Sequence, residues 1–365
     1  MTKKRIFLFT FLALLLSLPS CPKKQPNEIK IGVVLPLTGA SANHGQDARD
    51  GLELAMEDIQ KNPPIKGKEI QLIYEDNHSS ATDSVSATQK LINSDGVRII
   101  IGPIASSDAL AMIPVTEASN VLLFSPAASS PKITGKGKIF FRISLLAEPQ
   151  GQMAARFTLN TLKFDRVSIF FLNDDTGRGY AGSFADEFQK LGGTIAFQDS
   201  YGKELTDFKS QILKLKEAGS KVVYLPAVPR TLGLIIKQSH ELGYDPIFVS
   251  NYGSEGADLL NIAGTLANER VFLTSFRLDS RFIKRYKSRF GKEPGIAASL
   301  GYDSLSVIAE AIHSKNSTDP FIIRDGLHSL AGYIGATGKI SFDRNGDPIR
   351  QIVIRKITNG TFEEM

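Results

Sequence analysis

The chain has 365 residues, enough to bury more than one core, and its 22% charged and 42% apolar residues are ordinary for a folded globular protein. The formal charge is +5, but residues 1–20 contain Lys3, Lys4 and Arg5 and no acid, so the remainder carries only +2. That near-balance gives no charge argument for nucleic acid, and a single cysteine excludes a disulfide framework and a cysteine metal site.

The basic start leads into the apolar run Ile6–Leu16 and then Ser17-Leu18-Pro19-Ser20-Cys21. The run is too short for a permanent membrane-spanning helix and fits a secretory leader over residues 1–20. Leu18–Cys21 resembles a bacterial lipobox, which implies cleavage before Cys21 and acylation of its thiol. Residues 21–28 then form a polar, proline-containing tether.

Beyond the tether, Ile29–Leu35 reads as a strand, Pro36–Gly45 as a loop of small and polar residues, and Gln46–Lys61 as an amphipathic helix. Glu69–Glu75 is a strand and Ala81–Asn93 a helix. Two short apolar strands follow, Arg98–Ile101 and Val121–Phe124, separated by a helix over Ser107–Ser119, and Ile139–Ile143 is a further strand. From Glu148 the alternation starts again. Helices at 148–162, Tyr180–Leu191, Asp207–Ala218 and Thr231–Leu242 alternate with strands at Arg166–Leu172, Thr194–Ser200, Lys221–Leu225 and Ile247–Ser250. After strand Arg270–Ser275 come helices at 279–290, 296–314 and 319–330, then strand Lys339–Phe342, the turn Asp343–Asp347 and strand Ile349–Ile357. Strands alternating with helices of this length predict an α/β fold with largely parallel sheets, and two runs of similar size predict two doubly wound lobes.

The stretch 97–130 matters most for function. In parallel sheets ligands bind beyond the carboxyl ends of the strands. Those ends carry Ser106 and Ser107 after one strand, and Ser125, Ser129 and Ser130 after the next. Small hydroxyls beside free N–H groups at a helix start can hold an anion, with a small carboxylate the natural candidate. The same serines can also serve as helix caps and turn formers.

Other chemistries have less support. Gly177-Arg178-Gly179-Tyr180-Ala181-Gly182 has the outline of a dinucleotide fingerprint, with Asp199 ending the next strand. However, Asn173–Thr176 lengthen the turn, and Asp174 and Asp175 would repel a pyrophosphate. The five histidines show no paired-ligand spacing. His313 and His328 read as surface or satisfied core residues. No G-x-S-x-G elbow is present. Lys284–Arg289 reads as a solvated charged face.

Several segments together carry a family resemblance: IKIGVVLPLTGASANHGQDARDGLELAMEDI at 29–59, KGKEIQLIYED at 66–76 and IIGPIASSDALAMIPVTEASNVLLFSPAAS at 100–129. DDTGRGYAGSFADEFQKLGG at 174–193, DFKSQILKLKEAGSKVVYL at 207–225 and GYDSLSVIAEAI at 301–312 extend it. Their order and spacing resemble the branched-chain-amino-acid-type (Leu/Ile/Val) periplasmic binding proteins, solute receptors of ABC importers. The resemblance implies a type I, Venus-flytrap architecture of two Rossmann-like lobes, with crossovers near 141–151, 273–278 and 338–347. The expected lobes are 29–145 with 277–338, and 146–276 with 339–365.

The resemblance also implies site residues. Ser106 and Ser129 match the positions that hold a ligand carboxylate, and the backbone at Ala127 matches one that helps hold an α-ammonium. The family's cleft aromatics fall on His44, on Thr176 and on or near Val228, and its ammonium-pairing acid falls on Tyr252. The carboxylate half is kept while the rest is altered. A buried ammonium without a counter-charge is costly. The ligand is therefore either a carboxylate lacking an α-ammonium or an amino acid whose ammonium is met by Asp174 or Asp175. Replacing Ser106 or Ser129 by Ala is expected to weaken binding and leave the empty protein's stability little changed. The implied partners are a small amino acid or related carboxylate, an ABC permease and, through the lipid on Cys21, a membrane outside the cytoplasm. No cofactor, metal or nucleic acid is implied, and a monomer is. The alternatives are a regulatory or receptor-like lipoprotein of the same fold that binds a protein, and an exported enzyme.

Overall fold

A computed structural model describes residues 28–365; the expected leader, Cys21 and nearly all of the tether lie outside the described residues. The first run comprises β1 (Glu28–Leu35), α1 (Ala42–Lys61), β2 (Glu69–Asp76), α2 (Ala81–Asn93), β3 (Ile99–Ile101), α3 (Ser106–Ala118), β4 (Leu122–Ser125) and β5 (Phe140–Arg142). Its five strands form a parallel sheet in the order β2-β1-β3-β4-β5. β3 and β4 are buried along their whole length, as strands covered by helices on both faces must be.

The second run comprises α4 (Ala147–Arg156), β6 (Arg166–Leu172), α5 (Asp175–Lys190), β7 (Thr194–Tyr201), α6 (Lys209–Glu217) and β8 (Val222–Tyr224). It continues with α7 (Pro229–Glu241), β9 (Ile247–Asn251), α8 (Ala257–Ala263) and β10 (Val271–Ser275). Next come α9 (Ser280–Phe290), α10 (Ile296–Lys315), α11 (Pro320–His328), β11 (Tyr333–Gly335), β12 (Gly338–Phe342) and β13 (Pro348–Ile349). The chain ends with β14 (Val353–Thr358) and β15 (Thr361–Glu364). The second sheet has seven strands in the order β15-β14-β10-β9-β8-β6-β7, with β14 and β15 as its antiparallel edge. β11, β12 and β13 form a small separate sheet.

α9, α10 and α11 return to the first lobe. α10 is buried on most sides, and it meets α1 through two glycines. A Cβ on Gly51 would lie 1.9 Å from the Ala298 carbonyl oxygen, and one on Gly301 2.3 Å from that of Ala48. No side chain fits at either position. The basic run of α9 is a solvated face as expected at Lys284, Lys287 and Arg289, and two of its arginines also pair with the acidic edge of α1. Arg285 holds Asp58 through two bonds of 2.5 and 2.9 Å, Arg289 holds Glu57 at 2.7 Å, and nearby Lys292 holds Asp47 and Asp50.

The chain passes between the lobes at 143–146, at 276–279 and through 329–352. One half-buried guanidinium touches all three passages. Arg350 donates to the Ile143 carbonyl at 2.8 Å and the Thr337 carbonyl at 2.6 Å, and stacks 4.6 Å from the Phe276 ring centre. Burial pulls its pKa down to about 10, against the opposing field of Asp303. Asp303, fully buried, accepts from the Ala336 and Thr337 N–H groups at 2.6 and 2.9 Å.

Three expectations need correction. α1 starts at Ala42 rather than Gln46, because Gly45 is needed where the helix start presses on the Pro36 carbonyl, leaving no room for a Cβ. α5 starts at Asp175 rather than Tyr180, with the Asp174 carboxylate capping it by accepting from Gly177 N–H at 2.7 Å. The strand expected over Ile349–Ile357 is broken at 350–352, where Arg350 turns into the hinge.

Candidate functional site

α3 begins at Ser106, and the residue before it, Ala105, has no side-chain oxygen to satisfy the first-turn N–H groups. Ser106 does not cap its own helix. Its Oγ accepts from the N–H groups of Ser129 and Ser130, both at 3.1 Å, and so clasps the β4–β5 loop. A hydroxyl has two lone pairs and one hydrogen. With both lone pairs used, the Ser106 hydrogen is left to donate. The capping and turn-forming reading does hold for its neighbours. Ser130 caps the turn Pro131–Ile133, and Ser125 accepts from Ala128 N–H at 3.0 Å while donating to the Pro103 carbonyl at 2.6 Å.

The loop is fixed from beneath by Arg142, which is fully buried. Its guanidinium donates to Asp347 at 2.6 Å, to the Ser130 carbonyl at 2.7 Å and to Thr134 Oγ1 at 2.8 Å. Asp347 in turn accepts from Thr134 at 2.7 Å. Arg142 therefore joins the loop bearing Ser129 to the third interlobe passage.

The second lobe supplies larger side chains. Tyr180 is fully buried on α5, accepts from Gln150 Nε2 at 2.7 Å, and faces Ser129 of the first lobe as well as Asn251 and Tyr252 of its own. Burial pushes the phenols of Tyr180 and Tyr252 upward, so both are neutral. The Tyr252 hydroxyl donates across the cleft to the Ala127 carbonyl at 3.1 Å. Gln150 also donates to the Leu145 and Leu146 carbonyls and accepts from Thr274, tying this wall to the first passage.

Further bonds join the rims. His44 Nε2 lies 3.3 Å from the Gly253 carbonyl and must carry the hydrogen there. Asn43 donates to Asp258 at 2.6 Å, Lys132 to Asp175 at 2.7 Å, and Lys203 to the Ser79 carbonyl at 2.7 Å. Burial lowers the His44 pKa. The lobes thus stand in contact along the cleft.

Of the sequence-predicted residues, Ser106, Ala127, Ser129 and Tyr252 converge. His44 stands at the rim, on the first turn of a helix rather than in a loop. Thr176 and Val228 lie at the starts of α5 and α7, half-buried, and neither makes a side-chain hydrogen bond among the described residues. Sequence reasoning missed Arg142, Gln150, Tyr180 and Asn251. Only Arg142 left a signal, as a lone charge within apolar Phe140–Ile143. The G-x-G spacing has a packing cause. A Cβ on Gly177 would lie 2.0 Å from the Leu172 carbonyl oxygen, and one on Gly179 2.8 Å from Pro131 Cδ of the opposite lobe. His313 bonds the Pro64 carbonyl at 3.1 Å, and His328 packs on Phe141.

Residues 28–361 match the sequence model of the family described as periplasmic binding protein. The chain belongs to this family. Among curated relatives it is 28% identical over 326 residues, 87% of each chain, to the leucine-, isoleucine-, valine-, threonine- and alanine-binding protein of Pseudomonas aeruginosa. Among solved structures it resembles the leucine binding protein LivK of Thermotoga maritima, at a TM-score of 0.86 and 27% identity, covering 92% of this chain and 97% of that one. It also resembles the branched-chain amino acid transporter substrate binding protein LivJ of Streptococcus pneumoniae in complex with isoleucine. There the TM-score is 0.85 and the identity 25%, with 92% and 98% of the chains covered. The periplasmic binding protein fold of two parallel-sheet lobes is therefore that of this chain, and its family is one of extracytoplasmic binding proteins of the Leu/Ile/Val type.

Proposed function

We propose that this periplasmic binding protein is the solute receptor of an ABC importer and captures a small amino acid or related carboxylate by closure of its two lobes. The observation that carries the reading is the clasp at Ser106. One hydroxyl with a hydrogen to give, Ser129 beside it, and an uncapped helix start form an anion site at the carboxyl ends of β3 and β4. Tyr180 and Tyr252 face it from the other lobe. The binding of isoleucine by the Streptococcus pneumoniae relative supports a ligand of this size and charge. The lobes close about the passages at 143–146, 276–279 and 329–352, and a ligand favours closure only by its greater affinity for the closed form. Acylation of Cys21 anchors the mature chain to a membrane, and it acts as a monomer that delivers its ligand to a permease.

The test is to denature the purified chain gently and identify the released small molecules by mass spectrometry, then to titrate the refolded protein with the one found. A small carboxylate that shrinks the radius of gyration on binding supports the reading. A ligand without a carboxylate, or binding with no change in radius, overturns it.

A further inference from the structure

Resting on the reading that the lobes close about a ligand, we infer that Tyr224 is a positioning residue for Tyr180. Its hydroxyl pairs with that of Tyr180 in the open form and so holds the empty protein open. Few buried polar groups of a folded protein lack a partner, and each one that does calls for a cause. Among the described residues three buried side-chain atoms have none: a carboxylate oxygen of Asp95, the Ser239 hydroxyl and the Tyr224 hydroxyl. Asp95 precedes the amino end of β3 and Ser239 lies near the end of α7, both at the edge of their sheet away from the cleft. Tyr224 is the last residue of β8, at the carboxyl edge where the cleft lies.

The Tyr224 ring is fully buried and stacks on Phe184 of α5, with ring centres 4.1 Å and planes 11° apart. Phe184 and Tyr180 are four residues apart and share a face of that helix, with Tyr180 one turn nearer its start and the cleft. The two phenols are therefore neighbours. Burial first, and the Tyr180 phenol second, push the Tyr224 phenol far above its ordinary value, so its hydroxyl keeps its hydrogen. Their hydrogen bonding is opposite. Tyr180 accepts from Gln150 at 2.7 Å and has Ser129, Asn251 and Tyr252 around its hydroxyl, whereas Tyr224 has no partner among the described residues.

Of the groups around the Tyr180 hydroxyl, Ser129 alone belongs to the first lobe. The lobes touch along both rims in this arrangement, which is the closed one, and parting them carries Ser129 away. Tyr180 then keeps the Gln150 bond and turns its own hydrogen to the Tyr224 oxygen. Closing breaks that bond and leaves the Tyr224 hydroxyl buried without a partner. The cost of an unmet buried group thus falls on the closed form alone. A ligand must overcome it through its preference for the closed form, so the tyrosine pair sets part of the affinity without touching the ligand.

Small-angle scattering of the ligand-free chain, prepared by gentle denaturation and refolding, decides the matter. Tyr224→Phe is the variant, because it keeps the ring and its stack on Phe184. Removing the hydroxyl should raise the closed-to-open ratio at least about fivefold, the factor for about 1 kcal/mol, and so lower the radius of gyration of the empty protein. The same change in a Tyr180→Phe background should leave the radius as it was, since there the open form has no bond to lose. A phenol with only a structural part would move the melting temperature in both backgrounds and the radius in neither. Tyr224→Phe scattering like the empty wild type, or shrinking equally in both backgrounds, overturns the inference. The receptor reading stands in that case if the small molecule that mass spectrometry identifies still shrinks the wild type. An empty wild type already as compact as its liganded form overturns both.

Discussion

The first-lobe wall of the cleft presents hydroxyls and N–H groups set on turns, whereas the second-lobe wall presents two phenols and an amide on longer side chains. The first is held by a buried charge, Arg142 on Asp347, and the second by a neutral amide, Gln150 on Tyr180 and Thr274. Under the proposed function, groups fixed to the backbone at the ends of β3 and β4 would meet one feature, an anion, at one place. The side chains of this wall, on α5 and at the end of β9, are held by side-chain bonds rather than by the turns themselves. The difference between the walls predicts unequal responses to mutation.

The largest expected effect is at the buried ion pair. Arg142→Met leaves Asp347 with only Thr134 and leaves the Ser130 carbonyl unserved, so unfolding free energy should fall by about 3–5 kcal/mol in urea titrations. Gln150→Leu strands no charge and should cost about 1–3 kcal/mol by the same measurement. Equal losses would remove the contrast between a charge-fixed and an amide-fixed wall.

Next come the two serines. The sequence suggests that each acts on binding alone, and the structure separates them. Ser106→Ala removes the proposed ligand donor and also strands the N–H groups of Ser129 and Ser130, so it should weaken ligand binding by about 1.5–3 kcal/mol and lower stability by about 1–3 kcal/mol. Ser129 Oγ faces the Tyr180 hydroxyl of the other lobe and clasps no loop N–H among the described residues, so Ser129→Ala should weaken binding by a similar amount with the melting temperature little changed. Calorimetry and thermal melts on both variants check this. A destabilised Ser129→Ala protein would mean that both serines are structural.

The same contrast explains what was legible in the sequence. Buried strands such as Ile99–Ile101 and Leu122–Ser125 announce themselves by apolar runs, and the serines after them are conspicuous because small hydroxyls cluster where a parallel sheet ends. The second wall left almost no trace. Tyr180 reads as the start of a helix behind a glycine-rich turn, and local propensity is silent about Gly177 meeting Leu172 and Gly179 meeting Pro131, the contacts that aim it into the cleft. Gln150 looks like any polar helix residue until the fold brings Leu145, Tyr180 and Thr274 to its amide. The hinge was hidden for the same reason. Arg350, Asp303 and Phe276 lie far apart in sequence and meet only in the tertiary structure.

A smaller effect is expected at the rim with pH. Burial holds the His44 ring below its ordinary value of 6.5, with desolvation outweighing the raising influence of the Gly253 carbonyl, Asp47 and Asp258. Between that lowered value and 6.5 the unfolded chain binds more protons than the folded one, so stability rises with pH through the window. The contribution is complete above 6.5 and is lost as pH falls through the folded value. His44→Gln, which keeps a donor but does not titrate, should flatten this part of the melting profile measured from about pH 8 to about pH 5. An unchanged slope would place the titration elsewhere.

The smallest effect is expected at the other rim, where Lys132 of the first lobe meets Asp175 of the second at 2.7 Å. The lysine side chain is 61% exposed, and Arg178 remains on Asp175 at 3.1 Å when it is removed, so water and a second cation both dilute the loss. Lys132→Gln should therefore weaken ligand affinity by no more than about 0.2–1 kcal/mol, the range for exposed pairs. The difference should vanish at about 1 M salt, where charges are screened within about 3 Å. If Lys132→Gln instead cost more affinity than Ser129→Ala and did so at every salt concentration, closure would be driven by the rim contacts. The serine wall would then be a passenger of a lobe-to-lobe interface, and the ligand would have to be sought there.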